Sequence, residues 1–178
     1  MKILRYLLSK KEKKRLFEEL SHLYNYINKE RDNIKKLKVE KIIVNNETEL
    51  ILIDSFPSFF KTNNKYYPTL HLIARIIENK GIDYVKKSFK YVAVDSGALR
   101  PLLRGADVMK PGIKETSGFK KDDVVVVFLI DKWIPIVIGT AITDYDEHVD
   151  KGKTIKNIHR IGDRIWDLSE RIIKTTSR

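Results

Sequence analysis

The sequence predicts an α+β protein in which a small N-terminal α/β domain precedes a compact, barrel-like β domain. Three observations lead there. Apolar residues recur at helical spacing between Leu16 and Ile27 and again between Leu70 and Ile77, with short strand-like runs between the two stretches. Farther on, two β-branched runs, Asp123–Ile130 and Trp133–Ile142, flank an Asp131-Lys132 turn, the pattern of a buried hairpin. Between these regions, Tyr91 to Gly112 reads as strand, helix, strand with a tight turn at each joint. The expected boundaries are 1–88, 89–170 and a tail at 171–178.

Ser9-Lys10-Lys11-Glu12 has the spacing of a capping box, in which Ser9 caps an amide and Glu12 reaches back. Leu16, Leu20, Leu23 and Ile27, with Phe17 and Tyr24 beside them, then form the apolar stripe of one helix. That stripe is read as core, with a docking face for a partner helix as the alternative. Glu40–Val44 and Glu49–Ile53 read as a hairpin around Asn45-Asn46, Ser55–Phe60 as an apolar loop, and Asn63-Asn64 as a turn before a Tyr66-Tyr67 strand. Pro68 is placed at the start of a helix, where a missing N–H costs nothing. Leu70, Ile73, Ala74, Ile76 and Ile77 give this helix its buried face, and Gly81 ends it. Asp83 to Lys90 reads as a polar connector.

In the central stretch, Asp95 or Ser96 can cap a helix, and Gly105 suits the left-handed position after its last turn. Pro101 argues for a late start, near Gly97 or Ala98, since a proline in a helix interior costs about 3 kcal/mol. Pro111-Gly112 has the residue order of a type II turn. Pro135 implies a bulge or an edge in its strand. Thr154–Ile161 supplies one more strand, and Asp163 opens a last helix carrying Trp166, Leu168, Ile172 and Ile173.

The chain of 178 residues carries 35 basic and 24 acidic side chains, net +11, unevenly spread. Met1–Lys41 is net +7, Ile42–Ile82 neutral, Asp83–Lys121 net +5, Asp122–Asp150 net −6 and Lys151–Arg178 net +5. Such polarity suits a phosphate backbone, and solubility or ion-pair networks are the competing explanation. With no cysteine, disulfides and thiolate metal sites are excluded. No apolar run reaches the roughly 20 residues of a membrane helix, so a cytoplasmic location without membrane contact is expected. Enzyme signatures fail. Gly152-Lys153-Thr154 lacks the leading glycine of a phosphate loop, because position 147 is Glu147. Asp144, Asp146, Glu147 and His148 read as a solvated acidic turn, and His71 and His159 as packed rather than catalytic. No catalytic residue, cofactor or metal is expected.

Asp-x-Gly-Ala at Asp95, Gly-Ala-x-Val-Met-x-Pro-Gly at Gly105, Lys151-Gly152, and Ile158-His159-x-Ile161-x-Asp163-x-x-Trp166 together resemble the PUA domain, an RNA-binding module. Tyr66-Tyr67-Pro68-Thr69-Leu70 narrows the resemblance to the malignant T-cell-amplified-sequence family of translation proteins, as an archaeal member. It covers most of the chain, most clearly from Tyr66 to Trp166. The resemblance implies a PUA-type pseudo-barrel and an RNA-facing groove at Gly97, Ala98, Arg100, Arg104, Gly105, Ala106, Val108, Lys110, Pro111 and Gly112, with Lys151 and Gly152 nearby. Glycines there would admit RNA backbone, and Arg100, Arg104 and Lys110 would neutralise phosphates. Ser96, Lys110 and Gly162 depart from the family pattern. The implied role is RNA binding (tRNA or rRNA) on the small ribosomal subunit, in initiation, reinitiation or recycling, with the basic N-terminal domain docked on the ribosome. Relatives act with a partner carrying an initiation-factor-like domain. The alternative is an RNA-binding accessory subunit of a tRNA or rRNA modification system, for pseudouridine or archaeosine.

Overall fold

The computed structural model describes residues 4–176. The first half runs β1 (Arg5–Leu7), α1 (Lys10–Leu23), α2 (Asn25–Ile34), β2 (Val39–Ile43), β3 (Thr48–Ile53), β4 (Phe56–Thr62), β5 (Lys65–Pro68), α3 (Leu70–Lys80) and α4 (Ile82–Ser88). Strands β1 to β5 form one antiparallel sheet in chain order. The capping box forms as expected: the Glu12 N–H donates to Ser9 Oγ and the Ser9 N–H to Glu12 Oε2. The single helix predicted through Ile27 is instead two, because Tyr24 is extended (φ −134°, ψ 117°) between α1 and α2. That break turns Leu23 out to solvent, while Leu16, Phe17, Leu20, Tyr24 and Ile27 stay buried.

The Ser55–Phe60 stretch is strand β4 rather than a loop. Asp54 and Ser55 both take positive φ, at 51° and 64°, and make a two-residue turn that pairs Ile53 with Phe56. Asn63 and Asn64 repeat the device between β4 and β5, where a turn was expected. Pro68 closes β5 instead of opening the helix, and Thr69 is the cap, accepting the Leu72 N–H at 3.0 Å. In α3, Ala74 is exposed and Leu72 takes the buried position. The expected connector is the helix α4, whose Asp83 in the first turn and Lys86 and Lys87 in the last suit the helix dipole, and whose Val85 is fully buried.

The second half runs β6 (Lys90–Val94), α5 (Ser96–Leu103), β7 (Val108–Met109), a 3-10 turn at Lys110–Gly112, β8 (Ile113–Thr116), β9 (Val124–Leu129), β10 (Ile134–Ala141), β11 (Lys153–Arg160) and α6 (Arg164–Thr176). Its strands lie in the order β7-β11-β10-β9-β6-β8, with β6 and β9 parallel and the other neighbours antiparallel. A bulge between Pro135 and Val137 accommodates the proline where a bulge or edge was expected. The 171–178 tail is corrected for its described part: α6 continues without a break to Thr176, with Ile172 buried. Among the described residues no helix is long and apolar enough to cross a membrane.

The apolar run of β9 is continuous because both faces of this sheet are covered. Val92, Val94, Val125, Val127 and Leu129 join Leu102, Val108 and Ile155 in one core. Tyr91, Ala93, Val126, Phe128 and Ile138 face the other way and share a core with α1, α3, β3, β4 and α6 residues such as Leu20, Ile73, Leu50, Phe59 and Ile172. One hydrophobic core therefore underlies both halves. At the bulge between Ile138 and Gly139, a Cβ on Gly139 would stand 2.3 Å from Ile155 Cγ2 and 2.6 Å from the Lys156 carbonyl. Gly139→Ala is expected to cost about 2–3 kcal/mol, as overpacking against backbone does. Urea denaturation checks this, and a wild-type midpoint would refute the packing argument.

Polar groups complete the joint. His159, fully buried, stands edge-on to Phe60 at 5.2 Å, and its Nε2 accepts the Leu70 N–H at the start of α3 at 3.3 Å. An accepting Nε2 leaves the proton on Nδ1, which donates to Asp163 at 2.8 Å. Asp163 also accepts the amides of Arg160 and Trp166, both at 2.9 Å. His71 lies over Trp166 at 4.1 Å and reaches Glu170 at 2.8 Å, while burial pushes its pKa down. Both histidines are packed, as read from the sequence.

Candidate nucleic-acid interface

The central stretch is built by two caps. Asp95 accepts the Ala98 N–H at 3.3 Å and opens α5 at Ser96, one or two residues earlier than Pro101 suggested. Pro101 consequently lies within the helix. At the other end Gly105 takes φ 97°, its N–H donates to the Leu102 carbonyl at 3.0 Å, and the Ala106 N–H donates to the Pro101 carbonyl at 3.1 Å. That pair of bonds is a Schellman motif, and it requires the glycine. The Pro111-Gly112 type II turn is not formed. Gly112 does not take positive φ, and the residues make a 3-10 turn in which the Ile113 N–H donates to the Lys110 carbonyl.

Between α5, β7 and this turn lies an open cleft of about 310 Å³ with an apolar floor of Ala98, Pro101, Leu102, Val108, Met109, Pro111 and Gly112. Its two acids, Asp95 and Asp107, are paired with Lys114 at 3.2 Å and Lys153 at 3.4 Å. Of the predicted residues, Ala98, Val108, Pro111 and Gly112 therefore line one cleft. Gly97, Arg100, Arg104, Gly105, Ala106, Lys151 and Gly152 are exposed beyond the lining. Val108 is 2 % exposed and mostly core, whereas Met109 beside it is 47 % exposed.

Lys110 is the clear correction. It is 9 % exposed, its Nζ donates to the Asp146 carbonyl at 2.6 Å and lies 4.1 Å from the Tyr145 ring centroid. Its backbone N–H donates to the Gly152 carbonyl at 2.8 Å. The ammonium is spent on tying the 145–152 segment to β7 and cannot also neutralise a phosphate. The acidic turn of that segment is open to solvent, and Asp146 Oδ1 accepts the His148 N–H.

A family model described as "elF2D, PUA domain" matches residues 91–164, and one described as "Domain of unknown function (DUF1947)" matches residues 4–76. An uncharacterised protein of Methanocaldococcus jannaschii is 39% identical over 169 residues, covering 92% of this chain and 96% of that protein. Translation machinery-associated protein 20 of Saccharomyces cerevisiae is 28% identical, covering 76% and 75%. Malignant T-cell-amplified sequence 1-A of Xenopus laevis is 26% identical, covering 85% and 80%. The crystal structure of a PUA domain from Aeropyrum pernix, a tartrate complex, superposes with a TM-score of 0.76 at 26% identity, covering 96% of this chain and 93% of that one. The chain carries a PUA domain and is homologous to translation machinery-associated protein 20 and the malignant T-cell-amplified-sequence proteins.

The PUA cleft owes its shape to residues that sequence reasoning missed. Asn157 donates from Nδ2 to the Leu102 and Ala106 carbonyls, both at 3.0 Å, and its N–H donates to Asp107 Oδ1 at 3.0 Å. Arg160 donates from Nε to the Leu103 carbonyl at 3.1 Å, and its guanidinium lies 3.4 Å from where a Cβ on Gly105 would stand. Both clamp the C-terminal end of α5 onto β11. Their positions, directly flanking the Ile158-His159 pair on either side, were the one available signal.

Proposed function

We propose that this protein binds RNA and works in translation on the small ribosomal subunit, in initiation, reinitiation or recycling, without catalysing a reaction. The observation that carries the reading is the PUA cleft: an open apolar floor whose acids are already neutralised, on elements that also expose Arg100 on α5, Arg104 at its C-cap and Lys151 just before β11. An apolar floor suits the faces of unpaired bases, and cations beside it suit the phosphates that follow them. The similarity to translation machinery-associated protein 20 supports the placement in translation.

The test is crosslinking of the tagged protein to RNA in its own cells, followed by sequencing, with Arg100→Glu/Arg104→Glu as control. Lys110 is left intact because its ammonium is structural. Reads concentrated in small-subunit rRNA and tRNA ends, lost in the variant, are the expected result. In vitro the folded variant should bind RNA about tenfold or more weakly and with a shallower salt dependence, since each lost phosphate contact releases fewer counterions. Wild-type affinity in the variant would remove the cleft from the RNA path.

A further inference from the structure

A second cavity, of about 230 Å³, opens on the first half of the molecule between α2, the β3–β4 turn and α3. Its floor is aliphatic, made by the buried side chains of Ile34, Ile53, Leu72 and Ile76. Tyr26 and Phe56 wall it. Tyr26 stacks on Phe89 at 5.8 Å, and the Arg75 guanidinium lies over Phe56 at 4.2 Å. Four charged side chains line the mouth, and two of them are already paired with each other. Glu30 accepts from Lys80, from the Tyr84 hydroxyl at 2.8 Å and from Asn33 at 3.2 Å. The other two, Arg75 and Asp54, are exposed, and neither has an ion-pair partner among the described residues.

These two charges have opposite sign and fixed places. Asp54 sits on the positive-φ turn, at φ 51°, with its N–H donating to the Lys38 carbonyl at 2.7 Å. Arg75 is laid flat on Phe56, which leaves the edge of its fork open to a carboxylate. The Tyr26 hydroxyl has no hydrogen-bond partner among the described residues. Burial, and then the Glu30 carboxylate, push this phenol up to about 12 while Arg75 pulls it the other way. The guanidinium therefore lies within electrostatic reach of a hydroxyl that stays protonated and can donate beside it. An isolated anion in the cavity would meet Asp54 uncompensated, and an isolated cation would meet Arg75. A matching ligand carries both charges on a compact apolar body. We propose that the cavity binds a free α-amino acid with a branched or aromatic apolar side chain, its carboxylate on Arg75 and Tyr26, its ammonium on Asp54 and its side chain on the aliphatic floor. Such a site is separate from the PUA cleft and independent of RNA binding.

The experiment titrates the isotope-labelled full chain with L-leucine and with L-phenylalanine and follows its backbone amides by nuclear magnetic resonance. Saturable shifts confined to α2, the β3–β4 turn and α3, from at least one of the two, are the expected result. L-Alanine lacks the apolar body, N-acetyl-L-leucine the ammonium and L-leucinamide the carboxylate, so each should bind about tenfold or more weakly than leucine. Arg75→Gln and Asp54→Asn should lower leucine affinity to the same extent while keeping the wild-type melting temperature, since both side chains are on the surface. N-acetyl-L-leucine binding as tightly as leucine would reduce the site to a carboxylate pocket, such as one for a chain terminus, and L-leucinamide doing so would reduce it to an amine pocket. Either result overturns the amino-acid assignment. Wild-type affinity in both folded variants places the ligand elsewhere and overturns it too. So does the absence of any saturable shift from either amino acid up to about 20 mM, well above a millimolar Kd.

Discussion

Residues 89–178 produced alone will not fold cooperatively, and the whole chain will unfold in a single transition. The two family matches, 4–76 and 91–164, invite a cut between them. The packing forbids it. Tyr91, Val126, Phe128, Ile138, Ile165 and Ile172 belong to the core completed by the first half, so removing that half exposes them together. At about 1.5–3 kcal/mol for each large side chain, the loss is on the order of 10 kcal/mol, comparable with the whole stability of a typical domain. The fragment also loses the Leu70 N–H that His159 accepts and the Val44 carbonyl that Arg164 reaches at 2.9 Å. Circular dichroism and calorimetry of the fragment and the intact chain decide the matter. A sharp transition in the fragment, or two separated transitions in the whole protein, would contradict the shared core.

Asp163→Ala should be the most damaging truncation of a single polar side chain, at about 2.5–4 kcal/mol. Its carboxylate caps α6 through the Trp166 amide, holds the Arg160 amide and receives the proton of the buried His159. A lost cap costs about 1 kcal/mol, and an unpaired buried donor facing a missing anion about 1.5–3 kcal/mol more. Burial opposes the charge on Asp163, but the His159 bond and the two amides win and hold its pKa below the usual carboxylate range. Its contribution is therefore complete above the unfolded value, near 3.9, and is lost as pH falls through the lower folded value. His71 acts at higher pH with the same sign. Its folded pKa is depressed by burial, so the stability it brings as a neutral ring is complete above about 6.5 and declines below that. Urea midpoints across acid pH should thus fall in two stages, with the lower stage reduced in Asp163→Ala and the rest of it supplied by Glu30, Glu40 and Glu170, whose partners also hold them below the usual carboxylate range. An unchanged lower stage in that variant would locate the acid sensitivity elsewhere.

What the sequence made legible was local. Ser9 and Glu12 are three residues apart, Asn63-Asn64 is a turn by composition, and Gly105 and Gly81 end helices in ways their own backbone explains. Asp54-Ser55 makes the same kind of turn as Asn63-Asn64 but carries neither glycine nor asparagine, and β4 was consequently read as a loop. The break at Tyr24 was hidden for a different reason. The apolar spacing runs straight through it, and the residue leaves the helix with its hydroxyl donating to the Tyr66 carbonyl, 42 residues on. At the cleft, the apolar floor was foreseeable from the motif around Gly105. The fate of Lys110 was not, since the carbonyl that holds it is 36 residues away in a segment that looks like a plain acidic turn. Charge alone cannot tell a free ammonium from a captive one.

The single core under both sheets gives the molecule the property of a gauge. If the first half were joined to the PUA sheet by a flexible linker, the cleft and the surface of the first half would orient independently, and any partner could be accommodated by bending the protein. With Phe60 edge-on to His159 and His71 laid over Trp166 across the joint, the separation is set by the fold. A partner that touches both halves must match a spacing the protein does not adjust, so selectivity would come from the shape of the partner.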